Sequence, residues 1–161
     1  RLLTLPHFTP PLWPRNITDS AGVILGLRTG TTRGEILKSI MESATFYFVD
    51  SMESLRRMGI ATTGFIATGG GAKSDAWLQI KADIFGVPFT RPRVPEGSLL
   101  GAAMLAGIGT GVFSSAREAV DRFVSVDKVF SPDLARHSVY REKMALFREV
   151  FPATREILKR L

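Results

Sequence analysis

The segment IATGGGAKSDAWLQI (residues 66–80) carries the strongest structural signal in the chain. An apolar run ends at Ile66, three consecutive glycines follow at 69–71, and a helix-like pattern begins near Asp75. This order predicts a strand, a glycine loop (Gly69–Lys73) and a helix. In such a unit, backbone amides and the positive end of the helix dipole lie beside the end of the strand, where anionic groups bind.

Two common phosphate-binding templates do not fit the glycine loop. A P-loop requires G-x-x-x-x-G-K-[ST]; Lys73 and Ser74 match its last two positions, but Ala67 and Ala72 occupy both glycine positions. A dinucleotide fingerprint, G-x-G-x-x-G, that starts at Gly69 would need a third glycine where Ser74 stands. We therefore exclude both templates.

The residues of the loop leave two interpretations open. Because Gly70 and Gly71 lack side chains, a flat base, a ribose or a phosphate can approach their backbone closely, and Ser74 can bond such a ligand. The alternative is an ordinary β–α turn in which Ser74 or Asp75 caps the helix. Three adjacent glycines exceed what a turn needs and cost chain entropy, so the sequence favours ligand binding.

The flanking sequence predicts strands that alternate with helices, which is typical of a layered α/β domain. Two capping boxes, Thr32-x-x-Glu35 and Ser115-x-x-Glu118, mark helix starts. The proline-rich residues 1–21 are expected to be extended and to form no element. We expect strands at 22–27, 64–68, 87–91 and 124–130, and helices at 33–58, 75–85, 98–108, 116–123 and from about 134, with a break at Pro152.

Three helices carry residue patterns from which their packing can be predicted. Apolar residues at helical spacing predict a core-facing stripe on the long helix 33–58, and a second stripe on the last helix. Small residues predict close packing of the helix 98–108. These sets are Leu37, Ile40, Met41, Ala44, Phe48, Met52 and Leu55; Val139, Met144, Phe147 and Val150; and Gly101, Ala102, Ala103, Ala106 and Gly107.

Composition excludes several classes of protein and site. The 161 residues have 45% hydrophobic content, which is typical of a globular domain and not of a disordered chain. With no cysteine and two isolated histidines, neither a disulfide framework nor a thiolate or histidine metal site is expected. No apolar run reaches the roughly 20 residues of a membrane-spanning helix, so we expect no membrane partner. The absence of cysteine fits a reducing, cytoplasmic location.

The net charge of +6 leaves nucleic-acid binding as an alternative. Basic residues in the last helix alternate with Glu142, Glu149 and Glu156, as on an ordinary exposed helix surface. We therefore expect no nucleic-acid partner.

Four segments in order resemble the C-terminal domain of the FGGY carbohydrate kinases. TGGGAKSDAWLQIKADIFGVPF (68–89) is similar to the adenosine-binding motif of the xylulokinase-like branch. The strand-to-helix segment of the family resembles GLRTGTTRGEILKSIMES (26–43). The segment that follows the motif in the family resembles RPRVPEGSLLGAAMLAGIGTGVF (91–113), and the C-terminal helix of the family resembles VFSPDLARHSVYREKMALFREVFPATREI (129–157). The divergent segment PHFTPPLWPRNITDS (6–20) departs from the family pattern and weakens assignment to any one sugar.

The resemblance implies an α/β, ribonuclease H-like fold of the actin and hexokinase type. Residues 1–161 are then a C-terminal kinase domain that is incomplete at its N-terminal side, with an α/β core over 22–161. It further implies ATP and Mg²⁺ as cofactors, and a sugar or polyol substrate bound mainly by an N-terminal domain. A homodimer is an open alternative.

Carried over residue by residue, the family motif assigns nucleotide binding to the glycine loop and the residue after it. Gly70 and Gly71 approach the adenosine and its phosphates, Ser74 lies on the adenine side, and Gly69 and Lys73 complete the set. The resemblance places the catalytic Asp in the N-terminal domain, so we expect no catalytic residue here and no activity from this chain alone. The alternative is a non-catalytic nucleotide-binding or regulatory module of the same fold.

Overall fold

The computed structural model describes residues 2–9 and 21–161 of the chain. These divide into two units, the first comprising Arg1–Ala61 with Leu134–Leu161 and the second Thr62–Asp133. Residues 10–20, which include most of the divergent segment and are expected to be extended, lie outside the described residues. Nothing in the sequence pattern predicts the division, because it is set by contacts between distant segments.

The first unit contains a two-stranded antiparallel sheet and two long helices. Strand β1 (Leu3–Leu5) pairs with β2 (Val23–Leu25), with Thr4 opposite Ile24. β2 confirms the strand predicted within 22–27. β1 corrects the expectation that residues 1–21 hold no element. The strand contacts α1 (Arg33–Arg57) and buries Thr4 and Leu5, through tertiary contacts that local sequence does not reveal.

Helix α1 begins and ends where its sequence predicts. The Thr32 hydroxyl accepts from the Glu35 amide at 3.3 Å, and the Glu35 carboxylate accepts from the Thr32 amide at 2.8 Å, which completes the capping box. After the helix ends at Arg57, Gly59 has a φ of +82°, a conformation that favours glycine.

The buried face of α1 is not the apolar stripe that its sequence predicts. Leu37 and Phe48 are 50% and 64% exposed. The fully buried positions are instead mostly polar: Ser39, Glu42, Ser43 and Thr45, with Phe46. This face is buried because β1 supplies partners: the Thr4 hydroxyl lies 2.7 Å from that of Ser39, and the Thr4 amide donates to the Ser43 hydroxyl at 3.3 Å.

The buried carboxylate of Glu42 joins α1 to the last helix, α5 (Leu134–Leu158). It accepts a hydrogen bond from the Tyr140 hydroxyl at 2.8 Å and pairs with the ammonium of Lys143. The Phe46 ring of α1 also contacts α5, with its centroid 5.3 Å from that of Phe147. A buried charge is tolerated when it is paired and hydrogen-bonded, and Glu42 meets both conditions.

Helix α5 continues through Pro152, so the predicted break is wrong. Proline removes one backbone hydrogen bond inside a helix. The helix persists because Met144, Phe147 and Val150 bury its apolar face on the approach to the proline. Val139, assigned to the same stripe, is 64% exposed, and Tyr140 is buried in its place.

The second unit is built on a three-stranded sheet of order β3-β4-β5. Strand β3 (Phe65–Ile66) pairs parallel with β4 (Phe89–Pro92), which pairs antiparallel with β5 (Val126–Phe130). Phe65 lies opposite Phe89, and Phe89 opposite Phe130. The core between the sheet and α2 (Asp75–Phe85) contains Leu78, Ala82, Phe89 and Phe130.

Helix α2 ends, and helix α4 begins, at the residue that its sequence predicts. Gly86 ends α2 in the left-handed conformation, with φ +68°. Helix α4 (Ala116–Phe123) is capped by the Ser115 hydroxyl, which accepts from the Glu118 amide at 3.2 Å. The Glu118 carboxylate accepts from the amide and hydroxyl of Ser114, so the predicted return bond is displaced by one residue.

Helix α3 (Gly97–Gly109) buries Met104 against Phe113 and Ala119, but only some of its small residues are closely packed. A Cβ on Gly107 would lie 2.4 Å from the Phe113 ring, which confirms close approach there. A Cβ on Gly101 would meet nothing within 4 Å, and Ala102, Ala103 and Ala106 are exposed. The expected tight packing is therefore wrong for these four residues, because no described element of the second unit covers that face. None of the helices over 21–161 has the length and apolar character needed to cross a bilayer.

The pairing of Glu42 predicts a large stability loss in Lys143→Met. Without the Lys143 ammonium, the Glu42 carboxylate, which is 4% exposed, loses one of the groups that compensate its buried charge. Breaking such a buried pair costs about 3 kcal/mol. Urea unfolding followed by circular dichroism measures the loss. Lys159→Met is the matched control, since its exposed pair with Glu156 contributes at most about 1 kcal/mol. Equal losses in the two variants would contradict the assigned role of Glu42.

Candidate functional site

The glycine loop follows the carboxyl end of β3, beside its parallel partner β4. The Ala67 amide donates to the Thr90 carbonyl at 2.8 Å, which carries the parallel pairing beyond Ile66. The Gly69 amide then donates to the Pro95 carbonyl at 2.8 Å, and this bond holds the loop to the segment after β4. Open α/β sheets bind ligands at this end of their strands.

The three glycines of the loop have three different structural roles. Gly69 has a φ of +75°, which a residue with a side chain adopts only with strain. A Cβ on Gly71 would lie 3.4 Å from the Lys81 ammonium and 3.5 Å from the Trp77 ring, which are ordinary contact distances, so this position lies beside those side chains without crowding them. A Cβ on Gly70 would meet nothing within 4 Å. Gly70 is therefore the open position at which a ligand can approach the backbone.

Ser74 is the N-cap of α2, as one of the two interpretations predicts. Its hydroxyl oxygen accepts from the Trp77 amide at 3.2 Å. A hydroxyl oxygen has a second lone pair and a proton to donate, so capping leaves Ser74 able to bond a ligand as well.

The structure contradicts the assignment of Asp75 as a helix cap. Asp75 is the first residue of α2. Its carboxylate accepts from Arg91 at 2.7 Å and from the Lys128 ammonium at 2.7 Å, because β4 and β5 place these two cations beside the start of the helix. These contacts lower the pKa of Asp75 below its ordinary value, Lys128 contributing most and Arg91 next.

Lys73 lies on the surface of the loop and forms an ion pair with Glu96. The two charged groups are 3.2 Å apart, and the side chains are 63% and 51% exposed. Exposed pairs of this kind contribute at most about 1 kcal/mol. Lys73 can therefore exchange Glu96 for a stronger anion without a large cost.

Two basic residues beside the loop, Lys81 and Arg91, are not part of the predicted set. The Lys81 ammonium lies 4.4 Å from the centroid of the Trp77 ring, and burial lowers its pKa. The i, i+4 spacing of Trp77 and Lys81 is the signal that could have identified this pair. Arg91 donates from Nη1 to the Ala72 carbonyl at 3.2 Å, as well as to Asp75. Its role depends on strand pairing, for which the sequence has no local signal.

Two further observations concern metal binding and the cavity of the first unit. No group of three His, Asp or Glu side chains within 2–9 and 21–161 could hold a metal ion. A cavity of about 250 Å³ lies in the first unit, lined by residues of β1, α1 and α5, among them Tyr47 and Phe151. None of the five predicted site residues lines it.

Comparison with known proteins links the chain to one family. The model of the C-terminal domain of the FGGY family of carbohydrate kinases matches residues 1–110. A xylulose kinase of Staphylococcus epidermidis is 31% identical over 156 residues, and a glycerol kinase of Variovorax paradoxus is 34% identical over 143 residues. These alignments cover 97% and 84% of this chain, but only 32% and 28% of the two relatives.

Solved structures show the same relationship. The structure of a ligand-bound xylulose kinase from Lactobacillus acidophilus superposes with a TM-score of 0.80 at 26% identity, covering 95% of this chain and 31% of that one. The predicted resemblance and the ribonuclease H-like fold class are thereby confirmed. The chain spans about a third of the length of these relatives.

The Asp75 ion pairs predict a specific change in titration. Lys128→Met should raise the pKa of Asp75 toward its ordinary value of 3.8, because Lys128 is the largest cause of its depression. Carbon-13 NMR of the carboxyl groups measures this pKa, and Arg117→Met, which removes an exposed pair with Asp121, is the control.

The sign of the stability effect follows from the same pKa. Since the folded pKa is lowered, the pairs stabilise the fold fully above pH 3.8, and this stabilisation is lost as the pH falls through the folded value. In Asp75→Asn, the free energy of unfolding should therefore fall less steeply as the pH is lowered through the acid range. An unchanged Asp75 titration in Lys128→Met would contradict the assignment.

Proposed function

Because the chain belongs to the FGGY family of carbohydrate kinases, we propose that it is the nucleotide-binding part of an ATP-dependent sugar or polyol kinase. The whole protein would transfer the γ-phosphoryl group of ATP to a substrate hydroxyl. The observation that carries the proposal is the open backbone face at Gly70, which lies between the end of β3 and the start of α2. A nucleotide needs such a face, since its ribose and phosphates must approach the chain closely.

Each residue of the predicted set has a role in this proposal. Gly70 offers the open surface, while Gly69 turns the chain into the loop with its positive φ. Gly71 lies beside Trp77 and Lys81, so it connects the loop to α2. The start of α2 at Ser74 contributes its dipole, which favours phosphate.

Lys73 and Lys81 add positive charge beside the phosphates. Lys73 would exchange Glu96 for a phosphate oxygen on binding. Lys81 remains over the Trp77 ring and raises the local potential. Phosphoryl transfer depends mainly on positioning and on neutralising charge, and these residues contribute to both.

The proposal assigns the remaining chemistry to parts of the protein outside this chain. ATP carries Mg²⁺ on its phosphates, and the ion would neutralise charge there; the described residues have no cluster to hold it alone. The general base that accepts the hydroxyl proton and most of the sugar contacts would come from a sugar-binding domain. A cytoplasmic location, where ATP is plentiful, fits this role.

The direct test is a substrate panel on the full-length protein. ADP release would be measured with Mg-ATP and xylulose, ribulose, gluconate, glycerol or erythritol. Turnover of one polyol well above the ATPase background supports a kinase. Nucleotide binding with no turnover on any of them would favour the regulatory module, and absence of nucleotide binding by folded protein would contradict the proposal altogether.

Gly70→Val predicts a loss of nucleotide affinity without a loss of stability. A Cβ at Gly70 meets no neighbouring atom and its φ is not positive, so the fold should tolerate valine, whereas a nucleotide at the backbone would collide with it. We expect at least about tenfold weaker ADP binding by calorimetry, equivalent to about 1.4 kcal/mol.

Gly30→Val is the matched control for this variant. Gly30 also has open space around its Cβ position and no positive φ, but it lies outside the glycine loop. Gly71→Val should weaken binding as well, although valine there also presses on Trp77 and Lys81. Equal ADP affinity in Gly70→Val and Gly30→Val would remove Gly70 from the site.

A further inference from the structure

We infer that Arg91 is the positioning residue that holds the glycine loop in its ligand-binding conformation. The inference rests on the proposed nucleotide site and concerns a residue that is not part of the predicted set. Arg91 lies on β4, where it is opposite Lys128 of β5. Its side chain is 18% exposed, and its guanidinium lies 5.6 Å from the centroid of the Phe130 ring. Packing therefore restricts the side chain to few orientations.

The guanidinium joins three separate segments of the second unit. Nη1 donates to the Ala72 carbonyl at 3.2 Å and to the Asp75 carboxylate at 2.7 Å, and Nε donates to the Asp127 carboxylate at 2.7 Å. One planar group thus links the glycine loop, the first residue of α2 and strand β5. Lysine cannot reproduce this link, because its ammonium is a point charge without a planar fork.

The bond to Ala72 constrains the backbone of the loop itself. The Ala72 amide donates to the Gly69 carbonyl at 3.1 Å, a bond that closes the turn around Gly70 and Gly71. The Ala72 carbonyl is on the opposite side of the same residue and is bonded to Arg91. With both groups engaged, the peptide planes on each side of Ala72 have little freedom, since peptide units are planar.

The same contacts make the start of α2 acceptable to an anion. Asp75 would repel a phosphate near the N-terminus of the helix if its charge were uncompensated. Arg91 and Lys128 carry two positive charges against the two negative charges of Asp75 and Asp127, so the cluster is neutral. Arg91 therefore acts on the ligand through the loop and through Asp75, without touching it.

Arg91→Lys tests geometry while it keeps the charge. We expect the Ala72 amide to exchange its hydrogen about tenfold faster, and the KM for ATP or the Kd for ADP to rise about tenfold, which corresponds to 1.4 kcal/mol. kcat at saturating ATP should change by less than about twofold, because Arg91 does not contact reacting atoms. Arg91→Met, which also removes the charge, should weaken binding further, with the additional loss declining at high salt.

Arg117→Lys is the matched control, since Arg117 pairs with Asp121 on the surface of α4 in the same unit. It should leave both the exchange rate and the nucleotide affinity unchanged. Equal exchange of the Ala72 amide in Arg91→Lys and in the unaltered protein would overturn the positioning role, whether or not nucleotide binds. Faster exchange with unchanged nucleotide affinity would also overturn it. If the unaltered protein binds no nucleotide, the proposed function fails, and the exchange data still decide whether Arg91 holds the loop.

Discussion

The parallel pairing of β3 with β4 is the constraint on which the candidate site depends. Hydrogen bonds from the Phe65 and Ala67 amides to the Pro88 and Thr90 carbonyls, at 2.9 and 2.8 Å, align the carboxyl ends of the two strands. The glycine loop after β3 and the guanidinium of Arg91 on β4 therefore meet at one edge of the sheet. The stacked rings of Phe65 and Phe89, with centroids 4.7 Å apart, hold that register from inside the unit.

The two units differ in the kind of side chain that they bury at their helices. The second unit packs α2 on its sheet through apolar residues such as Leu78 and Phe130. The first unit buries polar groups of α1, which is stable only because Thr4, Tyr140 and Lys143 supply partners for them. As a result, most of the predicted apolar stripe of α1 is at least partly exposed, and a hydrophobicity pattern was a poor guide to its orientation.

Local signals predicted the elements and their ends well. The capping box at Thr32, the cap at Ser74 and the left-handed Gly86 each act within a few residues of the chain. Predictions failed where distant segments decide the outcome: β1 in a proline-rich segment, the helix through Pro152, and the exposed small residues of α3. The nucleotide-binding roles of the glycine loop remain predictions. The geometry distinguishes its three glycines: Gly69 makes the turn, Gly70 has an open backbone face, and Gly71 lies against α2.

The sequence by itself determined the family, the α/β class and the location of the glycine loop, because these depend on residue order and short-range backbone preferences. Only the tertiary structure decided which glycine is open, that Asp75 pairs with cations instead of capping α2, and that Arg91 contacts the loop. The physical reason is separation along the chain. Arg91 follows Ala72 by 19 residues and Lys128 follows Asp75 by 53, so these contacts exist only after the strands have paired.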